Sequence, residues 1–167
     1  MIAIDNSPIR LALARHNAAI YGVVDRIEFI LADYVSFARS YLSQSHNSPH
    51  RIDVVFLSPP WGGPKYIDLS NGDDDEQTGY SLRNITPVPG DELFRIARRI
   101  THNIAYFLPR NINLNEISDL LKSTGDDGDK LTLDGEKVEV EEEYMSGKLK
   151  AVTCYFGGLA TGQEDLF

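Results

Sequence analysis

Asp53-Val54-Val55-Phe56-Leu57-Ser58-Pro59-Pro60-Trp61-Gly62-Gly63-Pro64 is the stretch on which the fold turns. Its opening run, Asp53 to Leu57, is filled with β-branched and aromatic residues without alternation, the pattern of a buried parallel strand. The strand stops abruptly at Pro59-Pro60. Each proline fixes φ near −65° and has no N–H, so the chain leaves the sheet offering carbonyl acceptors and no donors. Trp61 follows at once, and the two glycines behind it permit tight turns. Acceptors beside a large π-face suit a flat ligand that carries N–H groups.

Working outward, the strands and helices alternate. Met1-Ile2-Ala3-Ile4-Asp5 is an apolar strand ending in a carboxylate, and Asn6-Ser7-Pro8 supplies cap residues with a first-turn proline. A helix is expected from Ile9 to Tyr21, with Ile9, Leu13 and Ile20 on one apolar face and Gly22 at its end. Ile27 to Leu31 is a second strand, ending at Ala32-Asp33, and the next helix carries Phe37, Ala38, Tyr41 and Leu42 on its apolar side. Beyond the Asp53–Leu57 strand, Lys65 to Gly90 reads mostly as a long loop with an acidic centre at Asp73 to Glu76. Asp91 to Ile100 is helical, with acids first and bases last as the helix dipole prefers. Asn103 to Leu108 is a strand, and Asn113 to Lys122 a helix capped by Asn113 or Asn111. Lys137–Tyr144 and Leu149–Phe156 form a closing antiparallel hairpin around Ser146-Gly147. The order β-α-β-α-β-loop-α-β-α-β-β predicts a parallel α/β sheet covered on both faces, with one reversed strand from the hairpin.

The totals narrow the function. At 167 residues and 42% apolar composition the chain is long enough for a domain with a real core. A single cysteine allows no internal disulfide framework and suits a reducing compartment. No apolar run is long enough to cross a bilayer, and the start carries no signal-peptide pattern. The four histidines are scattered, and none pairs with Cys154 in a metal-ligand spacing, so no metal is expected. The net charge of −9 argues against broad attachment to a nucleic-acid backbone. Any nucleic-acid recognition must therefore be local and centred on a base.

This sheet with its terminal hairpin resembles the Rossmann-like class I S-adenosylmethionine-dependent methyltransferase fold. Ser58-Pro59-Pro60-Trp61 fits the motif of enzymes that methylate exocyclic or amide nitrogens. Together with Asn103-Ile104-Ala105-Tyr106-Phe107-Leu108-Pro109-Arg110-Asn111 and the ending Lys148 to Gly157, it resembles the trimethylguanosine synthase family. That resemblance implies S-adenosyl-L-methionine as cofactor, S-adenosyl-L-homocysteine as product, and 7-methylguanosine-capped small nuclear and nucleolar RNAs as substrates. Two methyl groups would be added in turn to the cap guanine N2, in the nucleus (nucleolus or Cajal body) and also in the cytoplasm. Asp5 would hold the cofactor ribose hydroxyls, and Asp33 would receive the adenine amine. The fold's first strand and Gly-rich turn would precede Met1. The chain is thus expected to be one N-terminally truncated domain over 1–167, with acidic insertions at 68–80 and 123–135. In the usual order the missing strand lies between the second and fourth.

An exocyclic guanine amine is a poor nucleophile because its lone pair is delocalised into the ring. Rigid acceptors around Ser58, Pro59 and Pro60 can turn that lone pair and receive the developing positive charge. 7-Methylguanine is cationic, so Trp61 would add cation–π attraction of about 1–2 kcal/mol to ordinary stacking. Arg110 is placed to pair with cap phosphates. Each residue has a plainer reading: a chain stop at Pro59-Pro60, a core tryptophan, helix caps at Asp5 and Asp33, a surface arginine. Two other functions fit the same residues: a nitrogen methyltransferase acting on adenine or a protein amide, and a non-catalytic fragment that serves as a partner-dependent binding module.

Overall fold

The helix that follows the first strand begins where its caps dictate. Ser7 accepts from the Arg10 N–H at 3.4 Å, and Pro8 occupies the first turn of α1, Pro8–Ile20. Gly22 takes the left-handed φ of +68° that ends it. The computed structural model describes residues 1–44, 51–62, 79–122 and 135–160. They divide into two units, Met1–Pro49 and His50–Phe167.

In the first unit β1, Ile2–Asp5, runs parallel to β2, Glu28–Leu31, with Asp5 opposite Leu31. Helix α2, Tyr34–Gln44, follows directly. The expected apolar face of α1 is not buried: Ile9 is 73% exposed, and Leu13 and Ile20 are exposed as well. The buried residues of the two helices are Ala18 and Ala38. A two-stranded sheet covers little of a helix, and the small alanines are what it accommodates.

The second unit is a four-stranded sheet in the order β3-β4-β6-β5. Strand β3, Val55–Leu57, is parallel to β4, Ile104–Pro109, which is antiparallel to β6, Lys148–Phe156. Strand β5, Glu139–Met145, closes the hairpin through Ser146 and Gly147, both at positive φ, and forms the far edge. Parallel pairs and a terminal antiparallel hairpin are the expected α/β elements. Strands β1 and β3, matching the second and fourth strands of the resemblance, each pair with one described strand only.

Alternation sorts the two faces of this sheet. Ile104, Tyr106 and Leu108 lie opposite Phe156, Cys154 and Val152, and all six are buried. Helix α3, Gly90–Ile100, packs Phe94 there, 4.6 Å from the Phe156 ring. Gly90 fits because the Tyr106 hydroxyl approaches it closely and donates to its carbonyl at 3.1 Å. The opposite face carries Phe56, Ala105 and Phe107. The strand at Asp53–Leu57 is therefore shorter than expected and buried on one side only. Leu57 is buried, whereas Phe56 is 62% exposed and Val54 is exposed too. An edge strand covered by one helix obeys a period of two, whatever its composition suggests.

One ion pair ties the ends of this unit together. Arg98 of α3 donates through both terminal nitrogens to Glu136, with both side chains buried, and also donates to the His102 carbonyl. Glu136 additionally accepts from the Gly157 N–H at 2.9 Å. The expected acidic insertions, 68–80 and 123–135, lie outside the described residues except for Gly79, Tyr80 and Gly135.

Candidate active site

Strand β3 delivers Ser58-Pro59-Pro60-Trp61 at its carboxyl end, and β4 delivers Arg110 at the same end of its parallel neighbour. That is where open α/β sheets place their ligands. Trp61 is half-buried and tilts against Phe107, with ring centroids 4.9 Å apart and planes at 43°. Phe107 in turn lies 6.4 Å from the Phe56 ring. Such offset aromatic pairs contribute about 0.5–1.5 kcal/mol beyond area burial. Gly62, at φ +92°, makes the turn behind the indole.

The main chain of Trp61 is held from a distance. Tyr80, fully buried, donates its hydroxyl to the Trp61 carbonyl at 3.1 Å. Tyr80 is fixed on both sides: its N–H donates to the Asn111 carbonyl at 2.7 Å, and its carbonyl accepts from the Asn113 N–H at 2.9 Å. Gly79 is needed beside it, because a Cβ there would meet the Asn111 carbonyl at 2.6 Å. Glu116 of α4, Leu114–Leu120, then accepts from the Leu82 N–H at 2.8 Å and the Ser81 hydroxyl at 3.1 Å.

Asn113 caps α4, accepting from the Asn115 N–H at 3.0 Å. Asn111 is not a cap, contrary to its sequence reading. Its carbonyl serves Tyr80, and its Oδ1 is buried with no hydrogen-bond partner among the described residues. Arg110 is exposed, with Nη1 donating to the Leu149 carbonyl at 3.3 Å. Ser58 is exposed at the strand end.

Asp5 and Asp33 belong to the first unit, where Asp5 is the last residue of β1 and Asp33 follows the carboxyl end of β2. Asp5 accepts from the Ser7 N–H at 2.7 Å and lies 3.7 Å from the Arg10 guanidinium. Asp33 accepts from the Ser36 N–H at 2.8 Å, and hydrogen bonds from Ser36 hold its carboxyl below the usual range. Asp33 therefore caps the start of α2, as in its plainer reading, whereas α1 is capped by Ser7 and Asp5 accepts from the N–H of that residue. Phe107, Tyr80 and Glu116 were not singled out in the sequence. Phe107 was recoverable from strict alternation along β4; Tyr80, within the Lys65–Gly90 stretch read as mostly loop, offered no local signal.

Parallel strand pairs with helices between them and a terminal antiparallel hairpin define an α/β fold of the methyltransferase-like class. A family model described as RNA cap guanine-N2 methyltransferase matches residues 1–159, and the chain belongs to that family. Trimethylguanosine synthase of Schizosaccharomyces pombe is 34% identical over 163 residues, covering 93% of this chain and 56% of that protein. Its Saccharomyces cerevisiae counterpart is 28% identical over 155 residues, covering 92% and 43%. The chain thus spans about half the length of the curated relatives it matches. Among solved structures, the delta-N METTL16 MTase domain aligns with a TM-score of 0.48 at 14% identity, over 93% of this chain and 61% of that one. The family's description is of methyl transfer to the guanine of RNA caps.

Proposed function

We propose that this chain carries the base-binding and part of the cofactor-binding machinery for methyl transfer to the N2 amine of a 7-methylguanosine RNA cap. The observation that carries the reading is Trp61, tilted on Phe107 directly after Pro59-Pro60, which offer carbonyls and no N–H. The indole face attracts a cationic base, and Arg110, exposed at the neighbouring strand end, suits its phosphates. The buried Asn111 Oδ1 is a further acceptor beside Tyr80 and Arg110.

The donor set fits the cofactor: Asp5 has the two-oxygen acceptor a ribose diol needs, and Asp33 is an ionised acceptor for an amine. When bound, S-adenosyl-L-methionine supplies an electrophilic methyl group and leaves as S-adenosyl-L-homocysteine. The protein residues do the rest. Acceptors of the Ser58-Pro59-Pro60 segment hold the amine hydrogens, so the N2 lone pair is freed from the ring. Those acceptors would stabilise the positive charge that N2 gains as the methyl group passes to it from sulfur, and the proton would then leave to water. Positioning and preorganised dipoles supply the acceleration.

The substrates would be capped small nuclear and nucleolar RNAs, methylated in the nucleus. The test is Trp61→Ala, with binding followed by calorimetry using 7-methylguanosine diphosphate and S-adenosylhomocysteine. Affinity for the cap analogue should fall at least about ten-fold, the effect of removing a stacked and cationic contact. Cofactor-product affinity should stay within two-fold of its starting value on the same scale. Equal loss of both ligands defeats the assignment.

A further inference from the structure

Tyr80 is separated from Trp61 by 19 positions, yet its hydroxyl makes a directional bond to the Trp61 main chain. The ring is fully buried, and burial raises the phenol above its ordinary pKa, so the group is a donor throughout the neutral range. Behind it stands a relay of fixed bonds. Asn111 and Asn113 hold the Tyr80 backbone from both sides, and Glu116 holds Ser81 and Leu82, the next two residues. The absent side chain at Gly79 lets the two segments approach.

We infer that Tyr80 is a positioning residue for base recognition: its hydroxyl, backed by Glu116 of α4, sets where the Trp61 indole stands against Phe107. The inference rests on the reading of Trp61 as the base platform. Tyr80 acts through Trp61 and not on the ligand. Cap selectivity thereby depends on α4, an element that supplies no ligand contact of its own.

Trp61 is the sole tryptophan, so its emission reports this one position. Tyr80→Phe keeps the ring and deletes the hydroxyl that donates to the Trp61 carbonyl. The variant should show red-shifted, more readily quenched emission and about five-fold weaker binding of 7-methylguanosine diphosphate, the scale of one neutral hydrogen bond. S-adenosylhomocysteine affinity should not change. Glu116→Ala should act in the same direction, and adding it to Tyr80→Phe should bring little further loss of cap-analogue affinity, since both act through one contact. Unchanged emission and affinity in Tyr80→Phe, equal loss of both ligands, or fully additive losses in the double variant each overturn the inference. Retention of cap-analogue binding by Trp61→Ala is a separate failure, that of the platform itself.

Discussion

Trp61 is held by two unlike constraints, a ring contact to Phe107 and a hydrogen bond from Tyr80 to its carbonyl. The first is local to neighbouring strands, and the second crosses to a residue beyond a long connection. That difference decides what a single sequence reveals. Ser58, Pro59, Pro60 and Trp61 could be read because proline chemistry is local and unambiguous. Tyr80 could not, since eight tyrosines are present and only the fold brings this one to Trp61. The choice between Asn111 and Asn113 as cap was open for a similar reason: either spacing suits a cap, and the backbone path chose Asn113. Cys154 shows the opposite case, in which burial suppresses chemistry. It lies in β6 with no exposed surface, and desolvation pushes its thiol up to about 12. At pH 8 the thiolate fraction would be on the order of 10⁻⁴. Ellman's reagent should therefore leave the native thiol unmodified for hours and react within minutes once denaturant is added. Fast labelling of the native protein would contradict that burial.

At the scale of elements, the strand-helix order was legible throughout, because each change of period is marked by a cap, a glycine or a proline. Burial was less legible. The α1 face of Ile9, Leu13 and Ile20 has helical spacing, but spacing gives direction and not a partner. The unalternated Asp53–Leu57 run suggested two covered faces, but Leu57 alone is buried, and Phe56 and Val54 are exposed. The Arg98–Glu136 pair was invisible too, because 38 positions separate its members. It joins α3 to the approach of β5, and through Gly157 to the end of β6. Glu136→Ala would strand a buried guanidinium and should lower unfolding free energy by about 3–5 kcal/mol. Replacing Arg98 and Glu136 together with leucines should recover a large part of that loss. Urea unfolding followed by far-ultraviolet dichroism measures both, and equal stability of Glu136→Ala and the parent would refute the account.

For the molecule as a whole, charge is the dominant fact. With 25 acidic against 16 basic residues, it has no general attraction for a polyanion. Binding to an RNA must then come from the base and a very few phosphates. If Arg110 makes the single phosphate contact proposed for it, the log–log salt slope is about −0.7, against several units for a basic RNA-binding protein. Titrating a short capped RNA from 50 to 300 mM salt should give a slope no steeper than about −2, and the uncapped RNA should bind too weakly to measure. A slope of −4 or steeper would reveal a basic track that this account lacks.

The far edge of the sheet has a consequence of its own. Strand β5 ends the ladder order, with one side unpaired among the described strands. Along it stand Glu139, Glu141, Glu142 and Glu143, and Tyr155 and Thr153 donate to Glu141 and Glu143. Hydrogen bonds that anchor carboxylates on a terminal strand keep negative charge fixed where a second copy would have to add its own identical strand. Stacking edge to edge would bring glutamate against glutamate, so the sheet's growth into a fibre is opposed at its first step. The hairpin thus guards the β5 edge against pairing with a second copy of itself.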